Sequence, residues 1–436
     1  MDTINNLNNK AWVLAISMGY GHQRTADNLR FLAPDEKIIN ANDYDGIPAK
    51  DKKIWETSVK SYEFISNLQK IPIIGQFIFS ISDRFQRIRD FYPERDLSKP
   101  TIQLKQTYSM IKRGWGRHLI EKLKENPLPF VSTFFTMAFM AEYFNYPGKI
   151  FCIICDSDIS RAWAPLNPKE SRIKYLASTP RVVERLKLYG VKPENISLIG
   201  YPLPLENVGS EKMETLKEDL KDRIINLDHN KEYLKNYNGL VKEKLGELPG
   251  KSNHPLTLMF AIGGAGAQKE IAPKFLKSLS KIIKEGKIKI ILVAGTKEKV
   301  RDYLAKNIKK LGMANLLGKD MGNIEIIYER EKIDYFRKFN EAIRKTDVLW
   351  TKPSEISFYA SLGLPIIIAP PLGSQEEFNR RWLLKSGFGF SQENPKYTDQ
   401  WFFEWLEKSY FAEAAIQGFI KGEQFGALNA QKIILS

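Results

Sequence analysis

Apolar residues along this chain fall into short unbroken runs, each closed by a polar or glycine cluster. Such runs stand at residues 11–17 (AWVLAIS), 37–41, 129–133, 149–155 (KIFCIIC), 172–177, 256–262 (LTLMFAI), 288–294 (IKIILVA), 323–328, 347–350 and 366–369. A continuous run rich in Val, Ile and Leu marks a strand covered on both faces, as in a parallel sheet. Between the runs lie stretches with apolar positions three and four apart, the period of a helix. In one of them Thr179 and Pro180 supply a start and Gly190 a stop. Another, 107–123, is interrupted by Gly-Trp-Gly at 114–116. This strand–helix alternation predicts the α/β class.

The first strand leads into M-G-Y-G-H-Q-R-T-A, a glycine turn that opens a helix running to Leu32. The pattern recurs after residue 256, where a strand leads into I-G-G-A-G-A-Q-K-E. Two strand–glycine turn–helix units half a chain apart predict two Rossmann-like domains. Gly19 and Gly21 in the first turn, and Gly263, Gly264 and Gly266 in the second, permit close backbone approach. The helix start behind each turn offers N–H groups and a partial positive charge to an anion. The second turn lacks the Lys of a P-loop, which disfavours ATP hydrolysis. The intervening stretch, 206–253, is charged and helical in period and reads as an insert or linker. The expected organisation is a first domain at 1–205, the insert at 206–253 and a second domain at 254–411.

A chain of 436 residues with 43% hydrophobic and 27% charged residues is an ordinary globular one with room for two cores. Its formal charge of +15 is the exception, and it favours an anionic partner. The basic residues form no Arg-rich block, and no aromatic RNA-binding motif or zinc-knuckle spacing accompanies them, so no nucleic acid is expected. A nucleotide diphosphate or an anionic membrane surface is preferred. Residues 54–91 join an apolar, aromatic segment to a basic one, a composition suited either to a core helix or to a membrane interface. The N-terminus has no signal-peptide pattern and no stretch approaches the roughly 18 apolar residues of a span. Cys152 and Cys155 lie inside an apolar run without a second pair, so they read as buried reduced thiols. These features together place the protein in the cytoplasm, with peripheral attachment to the membrane's inner face as an extension of that reading. They set no oligomeric state.

Candidate chemistry concentrates just past strand ends, where ligands of parallel sheets bind. After residue 350 come Lys352, Ser354 and Glu355; after residue 369 come Ser374, Gln375, Glu376 and Asn379. T-K-P with a small residue and an acid, then G-L-P, then G-S-Q-E-E-x-N, resembles the nucleotide-sugar region of GT-B glycosyltransferases. The similarity is to monogalactosyldiacylglycerol synthase, processive diacylglycerol glucosyltransferase and the peptidoglycan N-acetylglucosaminyltransferase. It extends to the G-x-G-H at Gly19–His22, to the glycine loop at 263–266, and to Asp156 with Trp163, which match the acid and the Trp of T-D-x-x-x-H-x-x-W. The sequence departs at Arg161, which stands near the family's His, and at Phe358, which stands where the family has an acid.

The resemblance implies a GT-B fold, two Rossmann-like domains whose parallel sheets face each other across a cleft. It implies a C-terminal helix at about 412–436 packed back on the first domain. It also implies a metal-independent hexosyltransferase moving a sugar from a nucleotide-diphosphate donor, UDP-sugar favoured, to a hydroxyl, including one on a membrane lipid. No cofactor is expected beyond that co-substrate. His22 would be the general base, with Asp156 beside it and Gly19, Gly21, Arg161 and Trp163 on the acceptor side. Gly263, Gly264, Gly266, Lys352, Ser354, Glu355, Ser374, Gln375, Glu376 and Asn379 would hold the donor. Glu355 or Glu376 would take the ribose, and Gln375 and Asn379 the sugar. Read without the resemblance, His22 could equally bond to backbone at a helix start, and Asp156 could cap a helix. D-x-D at Asp156 and Asp158 could suggest a divalent metal, a reading the resemblance disfavours. A nucleotide-sugar epimerase on the same fold, or a non-catalytic protein that binds nucleotide sugar or anionic lipid, are the competing readings.

Overall fold

The apolar runs become strands for the reason their composition gives: each is shut off from water on both faces. A computed structural model describes residues 9–57, 88–261, 266, 268–318 and 322–436. Among them are twelve strands in two six-stranded sheets, and every pairing is parallel. The chain divides into two α/β units, each built on one sheet. The first comprises residues 1–203, 372–379 and 425–436; the second comprises 204–371 and 380–424.

In the first unit the strands are β1 (Trp12–Ala15), β2 (Ile39–Asn40), β3 (Phe130–Ser132), β4 (Ile150–Ile153), β5 (Lys174–Ala177) and β6 (Ile196–Leu198), in the order β2-β1-β3-β4-β5-β6. Val13, Leu14, Val131, Phe151, Cys152 and Ile153 are fully buried in its core. Both cysteines are free and buried, and burial pushes the Cys152 thiol pKa up. The helix Pro180–Leu188 starts as its sequence predicts. The Thr179 side chain accepts from the Val182 N–H, and Pro180 fills the first turn, where no N–H is needed. Gly190, at φ +86°, ends it in a conformation a side chain resists. The helix expected to run to Leu32 is shorter. It spans Gly21–Asp27, and a 3-10 turn at Arg30–Leu32 follows.

In the second unit β7 (Thr257–Ala261), β8 (Lys289–Gly295), β9 (Ile324–Tyr328), β10 (Val348–Thr351), β11 (Ile366–Ile368) and β12 (Gly389–Ser391) lie in the order β12-β11-β10-β7-β8-β9. The charged stretch 206–253 belongs to this unit. Its helix Glu214–Leu227 carries Arg223, which is 2% exposed. The Arg223 guanidinium donates to the carbonyls of Thr346 (2.8 Å), Leu362 (2.8 Å), Gly363 (3.1 Å) and Ile343 (3.4 Å). Those carbonyls lie at the ends of elements where no ladder partner is available, so the cation completes their hydrogen bonding. Asp347 lies in the same region and accepts from the Thr257 N–H (2.7 Å) and the Asn226 amide (3.0 Å). Phe358, at the position where the resembling family has an acid, is a core residue that packs against Trp382 at 4.9 Å between centroids.

Most of the stretch with a membrane-interface composition, at 58–87, lies outside the described residues, as do Gly263 and Gly264. No described helix is long and apolar enough to cross a membrane. Replacing Arg223 by Met should remove the cation from four carbonyls and lower the stability of the second unit by about 3 kcal/mol. Urea unfolding followed by Trp fluorescence should show this as an earlier midpoint.

Candidate functional site

The strand orders locate the sites. In the first sheet the chain goes from β1 outward to β2, then returns to the other side of β1 for β3. The carboxyl ends of β1 and β3 therefore diverge in connection, and a parallel sheet binds ligands outside such a switch point. His22 follows β1 and Thr133 follows β3. His22 Nδ1 lies 2.7 Å from the Thr133 carbonyl oxygen. A carbonyl only accepts, so Nδ1 carries the proton and Nε2 is the ring's basic atom. Gly19, at φ +85°, makes the tight turn that brings His22 back over the strand ends. Gly21 opens the helix that carries the histidine.

The ring of His22 is half-buried and meets Phe134 edge-on at 4.9 Å, with Trp163 at 6.2 Å. Phe135 closes the aromatic set at 5.2 Å from Trp163. This shell withdraws water from the imidazole, and desolvation lowers its pKa from 6.5 to about 4, the Thr133 contact opposing the fall. His22 is thus neutral at pH 7, the state in which it can take a proton.

Cys155 joins His22 to the acid. Its sulfur lies 3.4 Å from His22 Nδ1 and 4.0 Å from Asp156 Oδ2. Asp156 is 4% exposed. Its carboxylate accepts from the Gln375 amide and, at 3.4 Å, from Asn379 Nδ2. Ser157 donates to Asn379 Oδ1 through its N–H (2.9 Å) and its hydroxyl (2.6 Å). The start of the helix Ser374–Ser386 is thereby fastened to the loop after β4 within the first unit. Gln375 and Asn379, expected on the sugar, are found on Asp156 and Ser157.

Other expected residues have local tasks. Asp158, the second acid of D-x-D, forms a bidentate pair with Arg185 at 2.8 and 2.7 Å, both side chains buried. That pairing leaves the metal reading of the motif with one carboxylate, Asp156, which Gln375 and Asn379 already hold. Arg161 donates to the carbonyls of Ser98, Ala164 and Pro165 and braces the loop that holds Trp163. Glu376 Oε2 accepts from the Leu372 N–H (2.8 Å), so its carboxylate tethers the loop before its own helix. Ser374 Oγ accepts from the Ile88 N–H at 3.4 Å.

The second unit has its own switch point, between β7 and β10. Ala261, at the end of β7, is paired with Thr351, at the end of β10, and the Thr351 hydroxyl donates to the Ala261 carbonyl at 2.9 Å. The end of β7 and the start of Lys352–Glu355 therefore lie side by side. Gly266, at φ +67°, would bring a Cβ within 2.9 Å of Val300. Gln268 donates to the Pro370 carbonyl at 2.6 Å, tying it to the loop after β11. Lys352 and Ser354 are half-buried here, and Glu355 is buried at 8% exposure.

Sequence reading missed the Thr133 carbonyl and Ser157. A backbone oxygen carries no side-chain signal, and Ser157 is one serine among many until the fold sets it against Asn379.

A family model described as a domain of unknown function, DUF6938, matches residues 249–376. No curated protein matches the chain. Among solved structures, the chain is similar to a putative UDP-N-acetylglucosamine 2-epimerase from Listeria monocytogenes, at 14% identity and TM-score 0.48, over 96% of this chain and 94% of that one. It is also similar to UDP-GlcNAc 2-epimerase from Neisseria meningitidis bound to UDP-GlcNAc, at 12% identity and TM-score 0.47, over 98% of each chain. MurG from Acinetobacter baumannii aligns at 12% identity and TM-score 0.47, over 98% of this chain and 99% of that one. These likenesses are distant.

The ring of His22 should titrate by NMR near pH 4, below its ordinary 6.5. Between those values the unfolded chain binds the proton and the native ring does not. Stability should therefore fall as pH drops from about 6.5 towards 4, and a His22→Gln variant should lose that part of the pH dependence.

Proposed function

We propose that this chain is a glycosyltransferase of GT-B type that moves a sugar from a UDP-sugar to a hydroxyl acceptor. The observation that carries this reading is His22: a neutral imidazole with Nε2 as its basic atom, set at a switch point beside a buried carboxylate. Transfer to a hydroxyl needs a base that accepts one proton as the oxygen attacks the anomeric carbon. His22 Nε2 takes that proton. The Nδ1 proton stays on Thr133, which holds the ring in one orientation. The negative charge of Asp156, which shares the Cys155 contact with His22, favours the imidazolium as it forms.

The donor's diphosphate is assigned to the second unit, at the glycine turn after β7. Backbone N–H groups of that turn, together with Lys352, are assigned to offset the charge that builds on the leaving diphosphate. Glu355 is assigned to the ribose. The half-buried rings of Phe134 and Phe135 offer the acceptor an apolar face beside the base. The net charge of +15 supports an acceptor presented at an anionic membrane surface.

Calorimetric titration with UDP, GDP and ADP should show UDP as the tightest of the three. His22→Ala should keep UDP affinity within about twofold and lower the transfer rate by about a hundredfold or more, the usual contribution of a positioned base. Full transfer activity in that variant would remove the base assignment. An epimerised nucleotide sugar as the sole product would replace transfer with epimerisation. Co-sedimentation with vesicles of anionic phospholipid, absent with neutral ones, should report the membrane-facing acceptor.

A further inference from the structure

Asn379 lies in the Q-E-E-F-N run, whose resemblance places it on the donor sugar. Its surroundings give it another task. An amide side chain has one oxygen that accepts and one NH2 that donates. The Ser157 backbone N–H only donates, so the Asn379 atom 2.9 Å from it is the oxygen. The Ser157 hydroxyl adds a second donor to the same oxygen at 2.6 Å. With the oxygen committed, the NH2 is turned to the other side, where Asp156 Oδ1 lies at 3.4 Å.

The partner that sets this orientation is itself held. The Ser178 hydroxyl donates to the Asp156 carbonyl, and the Thr179 hydroxyl donates to the Ser157 carbonyl at 2.9 Å. The loops after β4 and β5 and the start of the helix Ser374–Ser386 therefore meet around one buried peptide. Asn379 is 1% exposed and Ser157 2%, so neither presents a face to a ligand as large as a hexose.

We propose that Ser157 and Asn379 are positioning residues. Ser157 orients the Asn379 amide, and that amide holds the Asp156 carboxylate beside Cys155 and His22, in place of a direct contact between Asn379 and the donor sugar. The proposal rests on the sugar-transfer reading, because it assigns Asp156 to the support of the His22 base.

The test compares wild type, Ser157→Ala, Ser157→Thr and Asn379→Ala, each as the full chain. Donor binding is measured by calorimetry with UDP-glucose and UDP-N-acetylglucosamine, and kcat and KM with the donor that wild type turns over. Ser157→Ala keeps the backbone N–H bond, so it is the mild variant should Asn379→Ala fold poorly. Positioning predicts donor affinity within about twofold of wild type, with kcat lowered about tenfold in Ser157→Ala and further in Asn379→Ala. Ser157→Thr, which retains the hydroxyl, should recover most of the lost kcat. The opposite split, donor affinity down about tenfold with kcat retained, would return Asn379 to the sugar and overturn the proposal. A wild type that neither binds nor turns over any UDP-sugar defeats the transfer reading on its own. Crystal structures of wild type and Asn379→Ala, or Ser157→Ala should the former not fold, then decide positioning. An Asp156 carboxylate that turns away in the variant upholds it, and one that stays in place overturns it.

Discussion

Parallel pairing of β1 with β3, and of β7 with β10, sets where the candidate site residues of this molecule stand. A parallel ladder brings all strand carboxyl ends to one edge, so every loop that follows a strand opens on the same side. At both pairings the chain has reversed its direction of travel across the sheet, which parts the neighbouring loops. His22 with Thr133 stands at one such point, and Gly266 with Lys352, Ser354 and Glu355 at the other. The cost of the arrangement is a sheet with no face left for water. It is met by runs such as Val13–Ile16 and Ile290–Val293, which carry no polar side chain.

Burial on that scale forces the charges inside each unit to find partners. Asp158 and Arg185 are matched as a bidentate pair, and Arg223 is matched to four carbonyl oxygens. Removing one partner leaves the other as an uncompensated buried group, so each such pair holds its surroundings to one geometry. In the loop after β4 this divides two carboxylates that look equivalent as D-x-D. Asp158 is a brace for the helix Pro180–Leu188. Asp156 meets the Gln375 and Asn379 amides and the Cys155 thiol.

The same burial tunes the imidazole. Aromatic rings around His22 strip away water, which favours the uncharged form, and the Thr133 carbonyl selects the tautomer. A neutral imidazole with its lone pair on Nε2 thus follows from packing and one backbone oxygen. Low basicity is the counterpart of that packing.

Much of the architecture was legible in one dimension because it rests on local physics. Unbroken apolar runs mean strands shielded on both sides, glycine turns mean a strand entering a helix, and Thr179-Pro180 with Gly190 mean a helix with known ends. These rules need no knowledge of distant contacts, and they placed His22, Asp156, Gly266 and Glu355 beyond strand ends. What each polar side chain touches there was beyond their reach, because it depends on segments far apart in the chain. Asn379 and Ser157 are separated by 222 positions, and His22 and Thr133 by 111. Arg161, Asp158 and Glu376 look like site residues by type and position, and the folded chain turns them to backbone carbonyls, to an arginine and to a loop N–H. Hydrogen-bond partners are set by where elements pack, and packing is a property of the whole core, so only the tertiary structure could separate the residues that brace the loops from those beside His22.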